Sequence, residues 1–227
     1  MSKSQKNRLA RRAGARGAGP VSHPSGMGRR QRRAAETRIR LFRCALQLIA
    51  ARGFPNVTVE DITETADVGK GTFFNYFESK EHVLGVMAEI QLSKVREAAL
   101  LAVKGKHTIH SVLHRLVLRL AEEPGRSPSL ARAMTSSFLA SEPVRVIIDR
   151  NMREGRKAIA EIVAAGQERG EIDRRLKKKK IAIQLQQMLM GTVLLWSLHG
   201  EPELKAWLED SFQHFWRAIA SGREQKP

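Results

Sequence analysis

Hydrogen-bonding and basic side chains gather in one short stretch, residues 70–80, with the sequence KGTFFNYFESK. Asn75 carries an amide that both donates and accepts hydrogen bonds, and Thr72 carries a hydroxyl. An asparagine amide pairs with N6 and N7 of adenine in the DNA major groove. Gly71 lets a phosphate strand approach the backbone closely, and Lys70 adds a positive charge. These residue types favour nucleic-acid binding over catalysis.

Neighbouring side chains fit the same chemistry. Tyr76 offers a hydroxyl to a phosphate, and Lys80 adds a cation for the same DNA backbone. Phe73 is interpreted either as a contact with a thymine methyl group or sugar edge, or as a core residue. Phe74 and Phe77 are predicted to be core anchors of a small domain.

Two short helices joined by a tight turn are needed to position these groups. Thr58 followed by Asp61 resembles a capping box, which predicts a helix over 59–66. Thr58 is expected to contact phosphate as a secondary role. Asp67 lies in the turn, where Asp tolerates the left-handed conformation. The next helix is predicted to extend to about residue 76.

Apolar residues recur at helical spacing along most of the chain, so the predicted fold class is all-α. A first helix starts near Arg33 and ends at Gly53, and Ser79 caps the fourth. The later predicted helices cover about 80–103, 113–120, 130–140, 144–168, 181–199 and 204–220. The predicted domains are a disordered basic arm over 1–32, a three-helix unit with a helix-turn-helix over 33–80, and a larger helical bundle over 81–222.

The charge of the chain is concentrated at its beginning. Residues 1–33 hold ten basic side chains and no acidic one, more than half of the net charge of +17. Such a surplus attracts polyanions, so nucleic acid or an anionic membrane surface is predicted as the partner, and the alternative is a charged segment that is simply solvated. The arm is expected either to enter the minor groove or to act by nonspecific attraction.

Segment 181–198 is the best candidate for a membrane span, because it carries no charge over 18 positions. Its glutamines, including Gln187, make it too polar for a lone span, so a buried or interface helix is predicted. The first 30 residues lack the apolar core of a secretion signal. With the single Cys44, these features predict a cytoplasmic protein that binds no membrane.

The segments LFRCALQLIAARGF and TVEDITETADVGKGTFFNYFESKEHVL resemble the DNA-binding domain of the TetR family of bacterial transcriptional regulators. The resemblance covers about 33–84. It departs from the family pattern at Gly69, where a Ser is common, at Phe74, where a Tyr is common, and at Asp67, where a Gly is usual. The first two departures remove hydroxyls that often contact phosphate.

The resemblance implies a ligand-responsive homodimeric repressor that binds a pseudopalindromic operator in double-stranded DNA. Dimerisation is expected through about 181–199 and 203–220, and an unidentified small-molecule effector through the bundle. The implied DNA-binding residues are Thr58, Lys70, Gly71, Thr72, Phe73, Asn75, Tyr76 and Lys80. The residues predicted to line the effector pocket, from helix position alone, are Met134, Phe138, Asn151, Gln187 and Trp196.

Other interpretations stay open. The chain is alternatively a constitutive DNA-binding dimer without an effector, or an activator. His107, His110 and His114 share one helix face, and a metal-dependent enzyme built on them is a third alternative. No carboxylate joins them within a turn, and no nucleophile or phosphate-loop motif occurs, so neither a metal, a cofactor nor a catalytic residue is predicted.

Overall fold

The computed structural model describes residues 29–201 and 203–222. In this part of the chain the secondary structure is helical, with nine α-helices, two short 3-10 turns and no strand. An isolated antiparallel bridge joins Ile172 to Ala220. The predicted all-α fold class is confirmed. Residues 1–28 of the predicted basic arm lie outside the described residues.

The first four helices form the N-terminal part of the fold. They are α1 Arg29–Arg52, α2 Val59–Thr65, α3 Lys70–Phe74 and α4 Lys80–Lys104. The later five helices are α5 Ile109–Ala121, α6 Pro128–Ala140, α7 Glu142–Glu168, α8 Lys178–His199 and α9 Leu204–Ile219. The 3-10 turns, Phe54–Asn56 and Pro124–Arg126, lie between α1 and α2 and between α5 and α6.

Several helix boundaries differ from the predictions; for example, α5 begins at Ile109 instead of near residue 113, and α8 begins at Lys178 instead of near residue 181. Helix α1 begins at Arg29, so residues 29–32, which were assigned to the disordered arm, are helical. Arginine and glutamine are good helix formers, which favours extension of the helix over these residues. Helix α3 ends at Phe74 instead of near residue 76, although the N–H of Phe77 still donates to the Phe73 carbonyl at 3.0 Å.

The apolar core of the N-terminal helices includes residues from later in the chain. Leu41, Ile62 and Phe77 are buried together with Leu130 and Met134 of α6. Val144, at the start of α7, belongs to the same cluster. The core therefore crosses the predicted domain boundary at residue 80, and α6 packs against the helix-turn-helix.

A second apolar core occupies the larger bundle. It joins the distal half of α4 to α5, α7, α8 and α9, with Leu113, Ile162, Phe212 and Trp216 among its buried members. Packing of long helices with apolar stripes explains this arrangement, because each stripe needs another apolar surface to cover it.

Helix α8 has the length and apolar composition of a membrane span, with a mean hydropathy of 1.4. Only a third of that window is buried. Core and interface helices of soluble proteins share these properties, so they do not identify a span.

Candidate nucleic-acid interface and effector cavity

A capping box begins α2, as the sequence predicts. The Thr58 hydroxyl accepts from the N–H of Asp61 at 3.1 Å, and the Asp61 carboxylate accepts from the N–H of Thr58 at 2.8 Å. The carboxylate also accepts from the Thr58 hydroxyl and from Arg52. These hydrogen bonds, led by that from the Thr58 N–H, lower the pKa of Asp61. The hydroxyl of Thr58 thus forms hydrogen bonds within the helix cap, and the residue is exposed to solvent.

The turn between α2 and α3 uses a left-handed residue. Asp67 has a φ of 49°, the one positive φ among the described non-glycine residues. An aspartate adopts this conformation at lower cost than most side chains. Gly69 then caps α3 with extended backbone and without a side-chain hydrogen bond. The predicted loss of a capping hydroxyl at this position is visible in the geometry.

Two of the three phenylalanines near α3 form the base of the helix-turn-helix. Phe73 and Phe77 are 0% and 2% exposed, and their ring centroids lie 5.3 Å apart. Phe74 is 49% exposed. The predicted contact of Phe73 with DNA is therefore wrong, and so is the assignment of Phe74 to the core. One turn of helix separates residues 73 and 77, so they share a face that residue 74 leaves.

The outward side of α3 carries the groups with major-groove chemistry. A Cβ added at Gly71 would meet no atom within 4 Å, so the backbone there is open to a close approach. Asn75 is exposed, whereas Thr72 and Tyr76 are half-buried. Tyr76 packs against the N-terminal core. Among the predicted base-reading residues, Asn75 is the more accessible.

Lys70 and Glu60 form an ion pair at the surface. Both side chains are more than half exposed, so solvent screens the pair and its contribution to stability is small. The hydrogen bond from Lys70 is the largest of the causes that lower the pKa of Glu60. Lys70 thus lies at the start of α3 as predicted, but a phosphate must compete with Glu60 for its ammonium group.

Lys80 has a structural role that its sequence position did not reveal. Its ammonium group donates to the carbonyls of Phe54 at 3.0 Å, Pro55 at 3.3 Å and Val57 at 2.9 Å. It also lies 4.7 Å from the centroid of the Phe54 ring. The three N–H groups of an ammonium are occupied in this way. These contacts hold the Lys80 ammonium group against the α1–α2 connection, at the residue for which the sequence predicts a phosphate contact.

An apolar cavity of about 320 Å³ lies among α4, α5, α6, α7 and α8. Aliphatic and methionine side chains form most of its wall, including Met87, Leu92, Met134, Ile148, Leu189 and Met190. The described residues that line it include no charged side chain. Its volume is at the lower end of the range, about 300–1,000 Å³, for small-molecule sites.

The cavity brings together three of the five predicted pocket residues. Met134, Phe138 and Asn151 line it. Gln187 is exposed on α8, and Trp196 is buried in the core of the bundle, so neither is part of the wall. Helix position alone did not distinguish the face of α8 that borders the cavity from its other faces.

Gln91 is a lining residue that the sequence analysis missed. Its Nε2 donates to the Leu120 carbonyl and to the Glu123 carboxylate, both at 3.1 Å. Its Oε1 is buried and accepts no hydrogen bond from the described residues. The signal available in the sequence was a lone amide in the otherwise apolar inner face of α4.

The histidine row is divided by the fold. His110 and His114 stack with ring centroids 6.0 Å apart and pack against Phe212 of α9. His107 is exposed near the start of α5. No three His, Cys, Asp or Glu side chains gather in metal-binding proximity within residues 29–201 and 203–222.

Helix α8 leaves an apolar surface uncovered in the isolated chain. Ile183, Leu195 and Leu198 are 43%, 52% and 61% exposed. On α9, Trp207 and Phe215 are half-buried, whereas Phe212 and Trp216 belong to the intramolecular core. The apolar residues of these helices are thus shared between the interior and an exposed face.

Comparison with known proteins assigns the N-terminal part of the chain. Residues 41–87 match the family described as bacterial regulatory proteins, tetR family. The HTH-type transcriptional regulator TcmR of Streptomyces glaucescens is 43% identical over 83 residues, which span 37% of this chain and 35% of that protein. The HTH-type transcriptional repressor KstR of Mycolicibacterium smegmatis is 28% identical, over 47% of this chain and 52% of that protein. The chain thus matches between a third and a half of these relatives.

Solved structures extend the similarity over most of the chain. Thermus thermophilus FadR, a TetR-family transcriptional repressor solved with lauroyl-CoA, is 27% identical with a TM-score of 0.59, covering 84% of this chain and 98% of that one. Bacillus subtilis FadR, solved with stearoyl-CoA, has a TM-score of 0.67 at 21% identity, over 80% and 98%. The second likeness concerns the fold alone. Residues 41–87 thus carry the helix-turn-helix of the bacterial tetR family, and the chain shares the fold of TetR-family regulators over most of its length.

Proposed function

We propose that this protein is an effector-responsive, homodimeric repressor that binds a pseudopalindromic operator through the major groove. The observation that carries the proposal is the juxtaposition of two sites. Helix α3 exposes Gly71 and Asn75 above a buried Phe73, and the core beneath it reaches the wall of an apolar cavity. Because bacterial chromosomal DNA lies in the cytoplasm, the protein acts there.

DNA recognition follows from the outward side of α3. The amide of Asn75 is suited to an adenine edge, and the exposed Phe74 to a thymine methyl group or sugar. Phosphate contacts position the helix without specifying sequence. The Thr72 and Tyr76 hydroxyls, the backbone at Gly71 and the Lys70 ammonium are the groups available for that task. In a dimer, two α3 helices would contact half-sites about 34–36 Å apart.

The dimer is proposed from the exposed face of α8. Ile183, Leu195 and Leu198 present large apolar side chains to solvent, and Trp207 and Phe215 of α9 are half-buried. Pairing α8 and α9 with their copies would cover this surface in a four-helix arrangement around a twofold axis. The same pairing would fix the distance between the two α3 helices.

Effector response is proposed through two methionines. Met87 of α4 and Met134 of α6 are buried in the N-terminal core and also line the cavity. An effector that fills the cavity contacts both side chains, and their displacement would be transmitted to the helix-turn-helix. Binding then favours the conformation with the larger cavity, and operator affinity falls by the same coupling free energy.

The apolar wall indicates an apolar effector. The FadR structures show acyl-CoA molecules bound to proteins of similar fold. In this chain, the absence of charged groups among the described lining residues suits an apolar body and leaves a CoA headgroup without a partner in the wall.

Selection of genomic fragments by the purified full chain tests the DNA-binding part of this proposal. A palindromic consensus, with protection of two half-sites on one DNA face, is the expected result. A lack of any enriched sequence would overturn it. A reporter gene behind the selected operator separates repression from activation, because expression falls in the first case and rises in the second.

Release from the operator tests the effector part. A compound from an extract or library that fits the cavity is expected to weaken operator binding. Met134→Trp, which fills the cavity, is expected to abolish that response. A dimer whose operator affinity no apolar compound changes would instead be a constitutive binder.

A further inference from the structure

The amide of Gln91 has a fixed orientation in the cavity wall. Its Nε2 donates to two acceptors, the Leu120 carbonyl and the Glu123 carboxylate, and lies 4.0 Å from the sulfur of Met87. Exchanging the two ends of the amide would place Oε1 against both acceptors. This repulsion identifies the oxygen as the atom without a partner.

Buried charges behind Gln91 hold that arrangement in place. The Lys94 ammonium is 2.8 Å and 3.0 Å from the two carboxylate oxygens of Glu123, and it also donates to the Arg119 carbonyl at 2.6 Å. The side chain of Lys94 is only 8% exposed. Glu123 is thereby fixed as the acceptor for Gln91, and it shares the positive charge of Lys94 with Glu122, whose carboxylate lies 3.0 Å from the ammonium group.

The other polar side chains in the wall each donate a hydrogen bond within the protein. The Thr135 hydroxyl donates to the Ala131 carbonyl at 2.9 Å, and the Asn151 amide donates to the Ile147 carbonyl at 2.8 Å. Gln186 donates to the Met152 carbonyl at 3.0 Å. Each of these bonds returns to backbone, so one donor of each side chain is used within the protein.

We infer that the effector of this cavity is an uncharged, largely apolar molecule that carries a hydrogen-bond donor, a hydroxyl or an amide N–H, and that Gln91 Oε1 accepts from it. The inference rests on the proposed role of the cavity as the effector site. It adds the chemical class of the ligand and the residue that determines the specificity.

The balance of desolvation favours a donor over other polar groups. A buried acceptor without a partner costs free energy that a ligand donor recovers, whereas an ether or ester oxygen leaves the cost unchanged. A carboxylate would meet Gln91 Oε1 with Glu123 behind it and would find no cation in the wall. The site therefore discriminates against anions as well as against ligands that only accept.

Two isomeric probes isolate this hydrogen bond. The full chain is titrated calorimetrically with 1-decanol and with 1-methoxynonane, which have the same atoms but differ in the hydroxyl donor, and with decanoate. We expect the protein to bind the alcohol about tenfold more tightly than the ether, because one satisfied buried hydrogen bond supplies about that factor in affinity. Decanoate should bind most weakly.

Substitution of the acceptor is the second arm of the experiment. Gln91→Met keeps the length of the side chain and is expected to reduce the alcohol preference to within about twofold, without weakening ether binding. Gln187→Met, the same change at an exposed glutamine of α8, should keep the tenfold preference.

Equal affinity for the two isomers in the unsubstituted protein would overturn the inference. So would tightest binding of decanoate, no binding of any probe, or a preference that survives Gln91→Met. Operator mobility shifts on the same preparations separate the two proposals. Retained operator binding with no alcohol preference refutes the ligand class alone, whereas loss of both also refutes the proposed regulator.

Discussion

Phe73 and Phe77 lie one helical turn apart with ring centroids 5.3 Å from each other, and both are buried on the side opposite the proposed DNA-binding surface of α3. Phe74 between them points outward. Phe73 and Phe74 are adjacent in the sequence, but Phe73 packs in the core whereas Phe74 lies at the surface.

Alanine at each position separates these tasks. Phe73→Ala is expected to lower the free energy of unfolding by about 3–5 kcal/mol, because it leaves a cavity in the N-terminal core. Phe74→Ala is expected to leave the Tm within about 2 °C and to weaken operator binding. Thermal unfolding and mobility shifts measure the two effects. Equal losses of Tm would contradict the assignment of the faces.

Asn75→Ala tests base recognition. Loss of a bidentate contact with adenine is expected to cost about 1–3 kcal/mol of operator affinity and to relax the preference at one base pair. The fold should persist, because the side chain is exposed. Gln213→Ala, an exposed amide on α9, is the control and should bind the operator normally. An unchanged footprint in Asn75→Ala would remove α3 from the interface.

Lys80→Met tests whether this lysine clamps backbone or binds phosphate. Three hydrogen bonds to the α1–α2 connection are lost, so we expect a lower Tm. The slope of log affinity against log salt should stay the same. A phosphate contact would instead contribute about 0.9 to that slope. Lys70→Met is the matched comparison. If one of the two lysines binds phosphate, we expect the slope of log affinity against log salt to fall in Lys70→Met and not in Lys80→Met.

Asp61 makes helix α2 sensitive to acid. Its pKa is lowered in the folded protein by the hydrogen bonds of the capping box. A lowered pKa means that the carboxylate stabilises the fold above the unfolded value, near 3.8, and that this contribution is lost as the pH falls below it. The Tm difference between the unsubstituted protein and Asp61→Asn is therefore expected to be largest near neutral pH and to shrink from pH 5 to pH 3. A difference independent of pH would show that the charge of Asp61 is not involved.

Leu195→Glu tests the dimer. Leu195 is 52% exposed on α8, so a charge there is compatible with the folded protomer but not with a buried apolar interface. Light scattering should show monomers with unchanged helicity, and operator affinity should fall because two half-sites are no longer bound together. Leu139→Glu, at a residue 78% exposed on α6, is the control and should remain dimeric. A dimeric Leu195→Glu variant would exclude this face.

Local features of the N-terminal unit could be predicted from the sequence because they depend on near neighbours. The capping box of Thr58 and Asp61 spans one turn, and Ser79 caps α4 by accepting from the N–H of His82. The left-handed conformation of Asp67 depends on the residue type at that position. Helix periodicity similarly gave the all-α class. The motif from Thr58 to Lys80 was enough to predict the family that residues 41–87 match.

Features that join distant segments were decided by the tertiary structure. Lys80 meets carbonyls more than twenty positions earlier, and Gln91 meets Leu120 and Glu123 about thirty positions later. Which predicted pocket residues reach the cavity depended on the rotation of α8, which placed Gln187 in solvent and Trp196 in the core. Sequence patterns specify which faces are apolar, but the packing of helices decides what each face meets. In the part of the chain that the structure describes, that packing formed both the apolar cavity and the buried Gln91 Oε1, which lacks a hydrogen-bond partner.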